Sequence, residues 1–148
     1  MNEDFRDLLR ALRDAEVRYL VVGAYAVSYH AAPRATADLD VWVEPTPDNA
    51  SRVLAALAAF GAPAGQLAID DLTSDDLVYQ IGVAPRRIDL MTGITGVTFA
   101  EAWVSRAEAE YGGVRFPLIG LDALIRNKRA LGRPRDLEDL AALLARKS

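Results

Sequence analysis

The sequence predicts an α/β domain, a mixed and twisted sheet flanked by helices and finished by two C-terminal helices. Short apolar runs of strand length alternate along the chain with segments of helical periodicity. Residues 1–148 are enough for a single domain that buries roughly 68–70% of its unfolded surface. Hydrophobic residues make up 51% of the chain and charged residues 26%, the balance of a globular rather than a disordered protein.

Phe5, Leu8, Leu9 and Leu12 carry the i, i+3, i+4, i+7 spacing of an amphipathic helix. Arg18 to Val22 reads as a buried strand stopped by Gly23. The small apolar stretch Ala24 to Ala31 reads as a short helix, with Pro33 just beyond its end. Asp38 to Val43 is a strand. Thr46 and Pro47 then supply the N-cap and first position of a helix carrying Val53, Leu54, Leu57 and Phe60.

Gly61 to Gly65 is a loop. Asp70, Asp71, Asp75 and Asp76 surround Leu72-Thr73-Ser74 with irregular spacing, which reads as loop and cap chemistry. Leu77–Val83 and Arg86–Met91 are strands joined through Ala84-Pro85, and Thr98–Arg106 is helical. Gly112-Gly113 turns a hairpin between Glu108–Tyr111 and Val114–Leu118. Leu121–Leu131 and Pro134–Lys147 are helices separated by Gly132. In the second, Leu137, Leu140, Ala141 and Leu144 form the expected apolar stripe.

Composition narrows the function classes. No apolar run approaches the roughly 20 residues that span a membrane. Met1 to Phe5 is acidic and lacks the order of a signal peptide. The chain has no cysteine, which removes disulfides and thiolate metal sites and fits a reducing compartment, so a cytoplasmic location is expected. A net charge of −4 disfavours a broad nucleic-acid surface, while a local basic patch stays open.

The most informative local feature is Asp38-Leu39-Asp40-Val41-Trp42-Val43. Alternation sends both carboxylates to one face of the strand and Leu39, Val41 and Val43 to the other. Upstream lies Val22-Gly23-Ala24, separated from Asp38 by 13 residues; downstream lies Arg87-Ile88-Asp89-Leu90-Met91. A pair of carboxylates about 4 Å apart repels by about 4 kcal/mol at an effective dielectric near 20, so three converging acids call for a cation.

These three segments, in this order, resemble the signature of the nucleotidyltransferase (polymerase-β-like) superfamily. The fuller string from Gly23 through Tyr29-His30 and Pro33-Arg34-Ala35-Thr36 to Asp40 resembles small bacterial nucleotidyltransferases related to AbiEii-type toxins. Asn127-Lys128-Arg129-Ala130 and Gly132-Arg133-Pro134-Arg135-Asp136-Leu137 are similar to the C-terminal segment of that group. The resemblance spans roughly residues 15–145 and implies the nucleotidyltransferase fold.

The resemblance also implies an activity: Mg²⁺-dependent transfer of a nucleoside monophosphate from an NTP to a hydroxyl acceptor. Asp38, Asp40 and Asp89 would be the metal ligands and catalytic acids, in keeping with the preference of Mg²⁺ for hard oxygen donors. Gly23 would let the backbone approach the triphosphate, and the Ala24 amide would donate to it. Ala24 departs from the family's Gly or Ser and so lacks a hydroxyl contact. Lys128 with Arg133 or Arg135 would carry charge for the β and γ phosphates. Arg34 and Thr36, on the loop into the acidic strand, complete the nucleotide-binding set. An RNA end such as tRNA, a protein and a small molecule all stand as acceptors, and a homodimer or protein partner would complete so short a chain.

The remaining residues have plainer readings. His30 reads as a helix-end side chain bonded to backbone. Trp42 borders a base or packs in the core, and Trp103 reads as core. The run Arg126, Lys128, Arg129, Arg133 and Arg135 is equally a solvated surface. The competing functional reading keeps the fold without the chemistry, as a non-catalytic binding module or toxin–antitoxin component.

Overall fold

The computed structural model describes residues 1–33, 38–62 and 64–147. Helix α1 (Glu3–Asp14) starts where the Phe5 amide donates to the Asn2 side chain at 2.9 Å and buries Phe5, Leu8, Leu9 and Leu12. It leads into β1 (Tyr19–Val22), all four residues of which are buried, and then directly into α2 (Gly23–His30). β2 (Leu39–Val43) follows, then α3 (Pro47–Phe60), with Thr46 as N-cap, Pro47 in its first turn and Gly61 at its left-handed end (φ +92°).

The acidic segment after Gly65 contains a short helix, α4 (Ile69–Thr73), where a loop was expected. Cap chemistry explains it, since Asp71 accepts from the Ala68 amide at 2.9 Å and Leu72 is fully buried beneath it. β3 (Val78–Ile81) and β4 (Ile88–Met91) come next, then α5 (Phe99–Val104), opened by a Thr98–Glu101 capping box. The hairpin β5 (Ala107–Tyr111) and β6 (Val114–Leu118) precedes α6 (Leu121–Leu131) and α7 (Pro134–Lys147).

Among the described residues six strands form one mixed sheet in the order β3-β4-β2-β1-β6-β5. β2 is antiparallel to β1 and parallel to β4, so the C-terminal end of β1 and the N-terminal ends of β2 and β4 share one sheet edge. Asn49 pins the other end: its amide donates to the carbonyls of Arg18 (3.0 Å) and Glu44 (2.9 Å) and accepts from the Arg18 amide at 2.7 Å. Trp42 is core, 1% exposed and edge-on to Phe99 at 5.1 Å.

Two packing expectations are corrected. Trp103 is only partly buried: it stacks on Phe99, and the Arg106 guanidinium covers its ring at 3.9 Å. In α7 the expected stripe is mostly outward, with Leu137 50% exposed and Ala141 and Leu144 also exposed; Leu140 packs partly against the core, while Asp136, Asp139 and Leu143 are buried. Ion pairing reverses the pattern, because the inward aspartates meet a lysine projecting from α6.

Candidate functional site

The site begins at the end of β1. Gly23 takes φ +69°, a conformation that costs residues with a Cβ, and it opens α2. Its N-cap, Val22, makes no side-chain hydrogen bond, so the first-turn amides of α2, including that of Ala24, are open to an anion. A Cβ at Gly23 would also run into the Asp40 carboxylate, whose Cγ would lie 2.9 Å away. Two constraints therefore select glycine here, and the second ties it directly to an acid.

Strand register sets the acids. Asp40 pairs with Asp89 across the parallel β2–β4 ladder, and the Leu39 amide donates to the Arg87 carbonyl at 3.1 Å. Alternation carries Asp38 and Asp40 on one strand, and Arg87 and Asp89 on the next, to the same face of the sheet. Asp38 sits one residue before β2 begins. The three acids thus share the face expected of them.

They do not close into a ready-made cluster. Among the described residues no group of three or more His, Asp or Glu is arranged to hold a metal ion as the side chains stand. The Arg87 guanidinium explains this. Its Nε donates to Asp89 Oδ1 at 3.0 Å and its Nη2 to Oδ2 at 2.8 Å, with Nε 3.8 Å from Asp38 Oδ2. Asp40 has no hydrogen-bond donor among the described residues. Burial, followed by repulsion from Asp89 and Asp38, pushes its carboxyl up to about 6. The donor set fits a hard divalent cation, being carboxylates alone, and the unmatched Asp40 marks a shortage of positive charge.

The opposite wall of the cleft comes from α6 and α7. Lys128 is buried and lies 3.4 Å from Asp136 and 3.1 Å from Asp139. Arg133 forks onto Asp136, with Nε–Oδ2 at 2.5 Å and Nη2–Oδ1 at 3.2 Å. That fork chiefly holds the fully buried Asp136 carboxyl down to about 2. Arg135 is exposed at the rim and has no acidic partner among the described residues. The walls enclose a cleft of about 710 Å³, within the usual range of ligand sites.

Of the sequence candidates, Gly23, Ala24, Asp38, Asp40, Asp89, Lys128, Arg133 and Arg135 all line this cleft. Arg34 and Thr36 lie outside the described residues. Lys128 and Arg133 enter the site already neutralised by α7, which leaves Arg135, among the described residues of the cleft, as the base with charge to spare. His30 donates from Nε2 to the Ile119 carbonyl at 2.7 Å, as its plainer reading had it. Arg126 pairs with Glu101 at 3.0 Å and does not line the cleft.

Sequence reasoning missed Arg87, Asn127, Asp136 and Asp139. Arg87 precedes Asp89 by the same two-residue step that separates Asp38 from Asp40, and that repeat was the available signal. Asn127 donates to the Thr95 carbonyl at 2.9 Å and lines the floor of the cleft. Nothing in the leucine pattern of α7 pointed to buried aspartates.

No protein-family model matches the sequence, and no curated protein matches it. The fold does have solved neighbours. The antibiotic-resistance factor ANT(2″)-Ia, in a crystal structure with adenylyl-2″-tobramycin, superposes with a TM-score of 0.63 at 15% identity, over 97% of this chain and 87% of that one. A Thermotoga maritima protein provisionally described as a nucleotidyltransferase gives 0.63 at 14% identity, over 95% and 90% of the two chains. A solution structure of ANT(2″)-Ia gives 0.63 at 14% identity, over 98% and 83%. The chain has the nucleotidyltransferase fold.

Proposed function

We propose that this protein transfers a nucleoside monophosphate from an NTP to a hydroxyl acceptor with the help of Mg²⁺. The observation that carries the reading is the in-register pair Asp40 and Asp89, flanked by Asp38, lining a cleft that also holds the open first-turn amides of α2 and, on its other side, the exposed guanidinium of Arg135. ANT(2″)-Ia, seen with adenylyl-2″-tobramycin, supports a nucleotidyl group ending on an acceptor.

In this reading Asp38, Asp40 and Asp89 would hold the Mg²⁺, which when bound supplies Lewis-acid stabilisation of the attacking and leaving oxygens. The acceptor oxygen bonds to the α-phosphorus as the bond to pyrophosphate breaks, and Asp89 takes the hydroxyl proton. Gly23 lets the triphosphate approach the backbone, and the Ala24 amide donates to a phosphate oxygen. Arg135 pairs with the outer phosphates, with Lys128 and Arg133 held behind it. Arg34 and Thr36 belong to the same nucleotide-binding set. RNA ends, proteins and small molecules all stay open as acceptors, as does a second copy or another protein completing the site.

The test is calorimetry with each of the four NTPs, with and without Mg²⁺, on the wild type, Asp38→Ala and Asp40→Ala. Mg²⁺-dependent binding that disappears in both variants is expected. Arg87 already satisfies Asp89 without a metal, and this favours the second reading, a non-catalytic module of the kind found in toxin–antitoxin pairs. Nucleotide binding that is indifferent to Mg²⁺ and survives both substitutions would select it.

A further inference from the structure

On the reading that the acids bind a divalent cation, we infer that Arg87 is an internal counter-cation that competes with the metal for Asp38 and Asp89. The guanidinium holds both oxygens of Asp89 in a fork and reaches toward Asp38. A carboxylate engaged through both oxygens has few lone pairs left to offer a metal, and a guanidinium is itself the positive charge these acids need. Asp40 makes no ion pair or hydrogen bond with Arg87 and feels its charge only at longer range. The competition is built into the sheet, since Asp38 and Arg87 each lie one residue before the in-register pair Leu39 and Ile88, and the Leu39 amide donates to the Arg87 carbonyl.

Arg87 can withdraw. Its side chain is 39% exposed and lies at the mouth of the cleft, so breaking the fork moves it into solvent or onto a phosphate without disturbing the core. The protein would therefore bind divalent ions weakly on its own. Nucleotide would strengthen that binding by giving the displaced guanidinium a new anionic partner. This makes Arg87 a positioning residue that sets the order of loading, metal together with nucleotide rather than metal first.

The experiment is an EPR titration of Mn²⁺ into nucleotide-free protein for the wild type, Arg87→Gln, Arg87→Lys and Arg135→Gln, each verified as folded by its thermal melt. Removing the fork is expected to tighten Mn²⁺ by about fivefold in Arg87→Gln, the scale of a partly exposed ion pair. Arg87→Lys, which keeps the charge but cannot fork, should fall between. Arg135→Gln removes the same charge from the same cleft without touching an acid, and should stay within about twofold of wild type. Unchanged or weaker Mn²⁺ binding in Arg87→Gln overturns the inference alone if the wild type binds Mn²⁺. Equal tightening in Arg135→Gln also overturns it, by reducing Arg87 to general electrostatics. Absence of Mn²⁺ binding in both the wild type and Arg87→Gln overturns the metal-site reading itself and this inference with it.

Discussion

Asp40 lines one side of the cleft and Asp136 lies buried behind the other, and the two are pushed in opposite directions. Burial and two like-charged neighbours drive the Asp40 carboxyl up to about 6; the Arg133 fork, helped by Lys128, drives the more deeply buried Asp136 down to about 2. Burial acts upward on both carboxyls, and only in Asp136 is it outweighed. What differs is whether the fold itself supplies the opposite charge. On the helix wall Asp136 and Asp139 are met by Lys128 and Arg133, so these aspartates serve the architecture. The sheet wall is left short of positive charge, and that shortage is what an external cation would meet.

The largest effect that sharpens this contrast is expected on the helix wall. Asp136→Ala strands Arg133 and weakens the hold on buried Lys128, and should destabilise the protein by about 3–5 kcal/mol in urea unfolding. A loss under about 1 kcal/mol would mean that the α6–α7 pairs are no tighter than surface pairs. On the sheet wall the sign reverses. Asp40→Asn relieves repulsion and should stabilise the metal-free protein at neutral pH by on the order of 2 kcal/mol, while abolishing Mg²⁺-dependent nucleotide binding. Destabilisation by this change, at equal secondary structure, would break the comparison.

The same pair predicts the acid behaviour. The folded pKa of Asp40 is raised, so the native state holds more protons between about pH 6 and the unfolded value near 4, and stability rises as pH falls through that window. For Asp136 the folded pKa is depressed. Its contribution is full above about pH 4 and is lost as pH falls toward about 2. Thermal melts should therefore peak near pH 4–5 in metal-free protein, and Mg²⁺ should flatten only the neutral limb. Leu137→Gln, on the outward face of α7, gives the smallest expected change, within about 0.5 kcal/mol.

The sheet wall was the legible one. Asp38, Asp40 and Asp89 could be placed on a common face because strand alternation is a two-residue rule, and Gly23 could be placed beside them because it stops an apolar strand. Both helix boundaries at the C-terminus were legible from Gly132 and Pro134. The inner face of α7 was not. Helical periodicity assigns leucines inward, and only the position of Lys128 in three dimensions makes Asp136 and Asp139 the better-buried face. α4 was missed for a related reason, since its five residues are too few to display a period. Arg87 escaped notice because a basic residue beside an acid reads as ordinary surface until strand register aligns it with a second acid.

The pairing of β2 with β4 ties the alignment of the acids to the burial of the core. Sliding β4 by one residue would turn Asp89 toward the apolar side of the sheet and swing Ile88 and Leu90 out toward the cleft. Such a chain would forfeit core burial in the same stroke that scattered its acids. A misassembled molecule with a plausible interior and a broken site is thereby disfavoured. A one-residue slip therefore cannot scatter the acids without also costing the fold buried apolar surface.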